Sequence, residues 1–116
     1  MKEIGPGDIH FGKTDDAKRK HPTDIIISNK RSLKECGYIF VIVVPGEKKP
    51  ISLKKLYYAT SKKYHYFNLK KIEGWNKIKT LTFWRTYRGN DGRLRLSGFN
   101  LIVEFGQNGL IFNKKK

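Results

Sequence analysis

Ile78-Lys79-Thr80-Leu81-Thr82-Phe83-Trp84-Arg85-Thr86-Tyr87-Arg88-Gly89-Asn90-Asp91-Gly92-Arg93-Leu94-Arg95-Leu96 is the stretch that decides the fold. Strict alternation puts Ile78, Thr80, Thr82, Trp84 and Thr86 on one face of an extended strand. Lys79, Leu81, Phe83, Arg85 and Tyr87 take the other face. β-Branched and aromatic side chains suit a pleated, half-buried surface. Gly89-Asn90-Asp91-Gly92 then supplies residue types that tolerate positive φ, so the chain turns back and Arg93 to Leu96 returns as a hairpin partner.

Working outward, Tyr38 to Val44 is apolar at every position, which predicts a strand covered on both faces and stopped by Pro45-Gly46. Tyr64 to Leu69 alternates. Phe99 to Phe105 is a further strand, and Gln107-Asn108-Gly109 turns into Leu110-Ile111-Phe112. Toward the N-terminus, Gly5-Pro6-Gly7 turns into Asp8 to Phe11, and Thr23 to Ser28 is a β-branched strand with a polar stop at Asn29. Ser32 to Cys36 reads as a helical turn ended by Gly37. In Ser52 to Lys63, Leu53, Leu56, Tyr57 and Thr60 share a helical face behind Ser52 as N-cap, whereas Tyr57-Tyr58 suits a strand; a short helix is the reading adopted.

About seven short strands joined by tight turns predict a mainly β chain, a small SH3-like or otherwise strongly curved β-barrel with one or two short helices. At 116 residues there is room for one core: residues 1–113 as a single basic β-barrel domain, and Lys114-Lys115-Lys116 as a disordered lysine tail.

Lys plus Arg number 25 against 10 Asp plus Glu, a net charge of +15. Like charges repel in a compact state, so this excess makes sense when a polyanion screens it. With 38% hydrophobic residues the chain is not a disordered basic tail. Lysine-biased composition inflates Lys, but it ordinarily raises Glu too, and acids are scarce here. Among nucleic acid, an acidic protein and an anionic membrane, nucleic acid fits best, with RNA favoured and no membrane expected. Cys36 stands alone, which excludes an intrachain disulfide and a thiolate metal site. The first residues lack a secretory apolar run, and Tyr38 to Val44 is far too short to span a bilayer, so a cytoplasmic protein is expected.

Three basic clusters are candidates for ligand contact. Lysine doublets at Lys48-Lys49, Lys54-Lys55, Lys62-Lys63 and Lys70-Lys71 are interleaved with Tyr57, Tyr58, Tyr64, Tyr66, Phe67 and Trp75. Lysines meet phosphates while rings stack unpaired bases, although in a small domain any one aromatic belongs more readily to the core. Arg85, Arg88, Arg93 and Arg95 surround the Asn90-Asp91-Gly92 turn, and arginine can grip phosphate through two parallel bonds. Gly12 to Pro22 is a polar loop with no apolar residue larger than Ala17, and it carries Lys18-Arg19-Lys20-His21. RNA transphosphorylation needs a base, an acid and a cation for the phosphorane; His21 can serve as base or acid, and Arg19 and Lys20 supply charge. His10 and His65 are the other histidines. No phosphate-binding glycine loop or dinucleotide fingerprint occurs, and the scattered acids, Asp15-Asp16 aside, do not suit a two-metal centre. A metal-free, cofactor-free route is the expectation if there is catalysis.

Gly7-Asp8-Ile9, the basic loop to His21-Pro22, Ile25-Ile26-Ile27-Ser28 and Val41-Ile42-Val43-Val44-Pro45 together resemble the MazF/PemK-type endoribonuclease toxins over roughly the first 45 residues. Arg85-Thr86-Tyr87 and Arg93-Leu94 are similar to later pieces of the same pattern. The resemblance implies an SH3-like barrel, a homodimer, metal-independent cleavage of single-stranded RNA, and an antitoxin with an acidic tail. His21 stands where that family has arginine, Gly46-Glu47-Lys48 where it has a hydroxyl residue, and strand-like sequence from Phe99 where it has a helix. On this reading Arg19, Lys20 and His21 are catalytic. Lys18, Lys48, Lys49, Lys54, Lys55, Lys62, Lys63, Tyr64, Arg85, Arg88, Arg93 and Arg95 bind nucleic acid. The alternatives are a non-catalytic module for RNA or single-stranded DNA, of phage, viral or chromatin-like type, and a protein that docks an acidic partner.

Overall fold

The computed structural model describes residues 4–14, 22–106 and 109–113. Its strands are β1 (Ile9–Phe11), β2 (Asp24–Ser28), β3 (Phe40–Val43), β4 (Ile51–Ser52), β5 (Tyr57–Thr60), β6 (Tyr64–Asn68), β7 (Thr80–Arg88), β8 (Leu94–Gly106) and β9 (Gly109–Asn113), with one helix, α1 (Leu33–Ile39). The chain is mainly β, as the alternating patterns predict. The expected lysine tail at 114–116 lies outside the described residues.

The strands form two antiparallel sheets, ordered β1-β2-β6-β5 and β4-β3-β7-β8-β9. On one flank a 3-10 turn, Leu53–Leu56, carries the chain from β4 of the second sheet directly into β5 of the first. On the other flank β9 lies beside β1. Two sheets thus bend around one core, strongly curved, without joining into one continuous hydrogen-bonded barrel.

Alternation decides which side chains fill that core. Ile25 and Ile27 of β2, Phe67 of β6, Phe40 and Ile42 of β3, and Leu81 and Phe83 of β7 are buried together, with Leu53, Leu56 and Leu69 closing one end. Phe83 is the hub, its ring 5.0 Å from that of Phe40 and 6.1 Å from that of Phe11. Burying each such side chain contributes roughly 1.5–3 kcal/mol against the entropy of ordering the chain.

Four local expectations need correction. The helix does not stop at Gly37; it runs on to Ile39, and the strand begins at Phe40 rather than Tyr38. Ser32 caps it by accepting the Glu35 N–H (3.2 Å). Gly37 serves close packing instead: a Cβ there would lie 2.8 Å from Cβ of Lys54. The helix expected over Ser52 to Lys63 is only the four-residue turn Leu53–Leu56, and Tyr57-Tyr58 belongs to a strand. Thr86, placed by strict alternation on the face opposite Leu81 and Phe83, is buried as they are, its hydroxyl donating to the Ile39 carbonyl at the end of α1 (2.7 Å). Finally, Arg93–Leu96 and Phe99–Phe105 do not form separate strands. Both belong to β8, with an irregularity where Trp84 pairs Asn100 but Thr86 pairs Leu96.

Candidate nucleic-acid interface

Strand β6 sorts four consecutive ring-bearing residues by phase. His65 and Phe67 are buried opposite Ile27 and Ile25 of β2, while Tyr64 and Tyr66 stand half-buried on the outer face. On that outer face Tyr66 lies opposite Ile26 of β2, and Ile26 lies opposite His10 of β1. The rings run in a row. His10 meets Tyr64 edge-to-face at 5.7 Å, Tyr64 meets Tyr66 at 6.4 Å, and Tyr66 meets Tyr58 at 6.1 Å. All three separations fall in the range of favourable aromatic pairs.

Tyr58 reaches this row through a slip in β5. Tyr57 pairs Phe67, but Ala59 pairs Tyr66 and Thr60 pairs His65, so the register shifts between Tyr57 and Ala59. Tyr57 therefore packs on the core while Tyr58 turns outward, 43% exposed. Its hydroxyl donates to the carboxylate of buried Asp24, which fixes the ring from its far end.

Lysines stand at both ends of β6. Lys62 and Lys63 are exposed in the β5–β6 turn, which the Asn29 amide ties down by donating to the carbonyls of Ser61 (2.8 Å) and Lys62 (3.0 Å). At the other end β6 runs into a 3-10 turn, Leu69–Lys71, that exposes Lys70 and Lys71 and packs beside the Leu53–Leu56 turn with its exposed Lys54 and Lys55. The Lys71 ammonium donates to the Tyr57 carbonyl (2.7 Å), and that of Lys70 lies 5.4 Å from the Trp75 ring centre. Thr23, just before β2, is fastened at this same end: its carbonyl accepts from the Leu69 N–H (2.9 Å). The catalytic candidates Arg19, Lys20 and His21, and Lys18 beside them, lie outside the described residues.

The arginine cluster belongs to the other sheet and is partly engaged internally. Arg85 is half-buried, its guanidinium 3.5 Å from the Ile4 carbonyl. Arg95 pairs with Asp91 (2.9 Å), whose second oxygen accepts the Arg93 N–H (3.0 Å), so this carboxylate shapes the turn. Arg93 is exposed; the Arg88 side chain lies outside the described residues. Lys48 and Lys49 are exposed in the connection between β3 and β4.

The histidines separate by environment. His65 is buried and held at both ring nitrogens: Nε2 donates to the Arg31 carbonyl (2.8 Å), and Nδ1 is bonded to the Thr60 hydroxyl (2.9 Å). A side chain clamped in this way is structural. His10 has no hydrogen-bond partner among the described residues and stands on the outer face with the tyrosines. Sequence reasoning named Tyr64 as a contact residue but did not select His10, Tyr58 or Tyr66. The alternation of β6 carried that signal for Tyr66; the slip that turns Tyr58 outward left none.

Cys36 is buried, and burial pushes its thiol from 9.0 up to about 11, so it is not a nucleophile at neutral pH. Asp8 is held below the usual carboxylate range. Burial opposes this, but the Gly5 N–H and Lys30, at 3.0 Å, outweigh it. Among the described residues no three His, Cys, Asp or Glu side chains come together as metal ligands, and no helix is long and apolar enough to cross a membrane. No family model, no curated protein and no solved structure matches this chain.

Proposed function

We propose that the outer face of the β1-β2-β6-β5 sheet binds single-stranded nucleic acid, RNA in preference. The observation that carries this reading is the row His10, Tyr64, Tyr66 and Tyr58 on the outside of a sheet whose Phe67 and Tyr57 already serve the core. Unpaired bases stack on such rings at about 1–3 kcal/mol each, whatever their sequence. Lys62, Lys63, Lys70 and Lys71, at the two ends of β6, meet the phosphates that accompany those bases. The +15 charge supplies the long-range attraction.

The test is anisotropy of a labelled twelve-nucleotide RNA titrated across a salt series. Affinity should fall linearly on a log–log plot, with a slope of about −0.7 per phosphate neutralised. Binding that is insensitive to salt and indifferent to Tyr66→Ala would sink the reading.

A second reading, metal-independent endoribonuclease of toxin type, is favoured by one observation. The stretch bearing Arg19, Lys20 and His21 joins β1 to β2, the strands that bring His10 and Ile26 to this face. On this reading Arg19 and Lys20 would stabilise the phosphorane and His21 would move the proton. An acidic protein tail, and a second copy of the chain, are the partners this reading expects. Incubation of single-stranded RNA in EDTA should yield 2′,3′-cyclic phosphate ends, and cleavage unchanged in His21→Ala and Arg19→Ala would remove those residues from the mechanism.

A further inference from the structure

An open groove of about 440 Å3 lies where the β3–β4 connection faces the start of β7, within the size range of small-molecule sites (about 300–1,000 Å3). Val44, Ile72 and Ile78 give it apolar lining, and Glu47 and Glu73 line it as well. These carboxylates are unusual in this molecule. Asp8 is paired with Lys30, Glu35 with Arg31, and Asp91 with Arg95, and Asp24 accepts from Tyr58. The carboxylates of Glu47, Glu73 and Glu104 have no hydrogen-bond or ion-pair partner among the described residues, and two of those three line this one groove. Lys77 and Lys79 line it too, equally unpaired among the described residues.

A surface that only gripped phosphates would gain nothing from two carboxylates, because each repels the backbone it must hold. Apolar walls with carboxylate acceptors suit a different part of a nucleic acid: a base edge that carries an amino group, as glutamate accepts from N4 of cytosine. The groove also adjoins the interface along the chain. Lys70 and Lys71 follow β6, Ile72 and Glu73 come next, and Trp75, beneath the Lys70 ammonium, precedes Lys77.

We infer that this groove is a base-reading subsite that takes one amino-bearing base in preference to uracil, which has no amino group to offer. The inference rests on the binding function proposed above and adds sequence preference to a stacking face that has none. The apolar walls cover the ring faces, Glu47 and Glu73 accept from the amino edge, and Lys77 and Lys79 hold the adjoining phosphates.

The experiment titrates the full chain with labelled twelve-nucleotide oligo-C, oligo-A and oligo-U at one salt concentration. Oligo-C and oligo-A should bind about fivefold tighter than oligo-U, the low end for a direct base contact because the groove is open. Glu47→Gln with Glu73→Gln presents amides that donate as well as accept, and should erase the preference chiefly by improving oligo-U. Glu104→Gln, an exposed charge change on β8 outside the groove, controls for charge alone and should tighten all three equally. Equal binding of the three oligomers by the parent protein, or a preference that survives the double substitution, overturns the subsite and leaves the stacking interface standing. Failure of all three to bind overturns both.

Discussion

The two faces of the β1-β2-β6-β5 sheet carry similar residues and do different work. Inside, Ile25, Ile27, His65 and Phe67 are each matched: the apolar ones by the core, the histidine by a carbonyl and a hydroxyl. Outside, Tyr58, Tyr64, Tyr66 and His10 touch one another but leave ring surface to solvent. The difference teaches that aromatic content by itself says little in a domain of this size. Phase within the strand separates a ring that stabilises the fold from one that is available to a ligand.

The comparison breaks most visibly at β6. Phe67→Ala should cost about 3–5 kcal/mol in urea unfolding, because it removes a fully buried ring at the centre of the core. Tyr66→Ala, one residue away, should reverse the pattern. It should weaken RNA binding by about 1–3 kcal/mol, with a stability loss well under that of Phe67→Ala. Comparable unfolding losses for the two would show that the outer row is simply a second core.

The charges sharpen it further. Removing both turn lysines, Lys62→Ala with Lys63→Ala, should lower the magnitude of the salt slope by about 1.4, at about 0.7 for each phosphate left unneutralised. Arg95→Ala, at the hairpin where the guanidinium is already held by Asp91, should leave that slope unchanged. A larger change from the arginine would move the interface to the other sheet.

Cys36 gives the smallest effect at neutral pH. Its thiol keeps its proton longer in the folded chain than in the unfolded one, so its contribution is intact below pH 9.0 and fades as pH rises toward about 11. Comparing unfolding of the parent and Cys36→Ala over that range should show the parent losing more stability. Alkylation of the native thiol as fast as that of the denatured chain would contradict its burial.

Much of the fold was legible in the sequence, because period-two patterns report directly which side of a strand is covered. β6, β7 and the hairpin around Asn90-Asp91-Gly92 follow from alternation and turn chemistry, and β2 from its β-branched run. What failed did so where tertiary packing overrides local preference. Gly37 looks like a helix stop, yet it is required by the nearness of Lys54, seventeen positions on. Tyr57 fits a helical stripe, and Tyr57-Tyr58 fits a strand equally well, until the Phe67 and Tyr66 rings claim one tyrosine each. Of the site, the lysine doublets were readable as charge, but that two of them bracket one strand depended on where β6 begins and ends. The groove lined by Glu47 and Glu73 had no sequence signal, since its walls come from segments nearly thirty residues apart.

The slip in β5 has a consequence for how these molecules treat one another. β5 is the outermost strand of its sheet, and a regular, straight edge of that kind offers its free amides and carbonyls to the next chain. The shift between Tyr57 and Ala59 breaks that regularity at the middle of a four-residue strand, and two exposed lysines follow soon after it. Chains drawn close together on one polyanion, their mutual repulsion screened, would still find no continuous edge along β5 on which to add a strand. The irregularity that turns Tyr58 outward also makes this edge a poor template for a strand from a neighbouring copy.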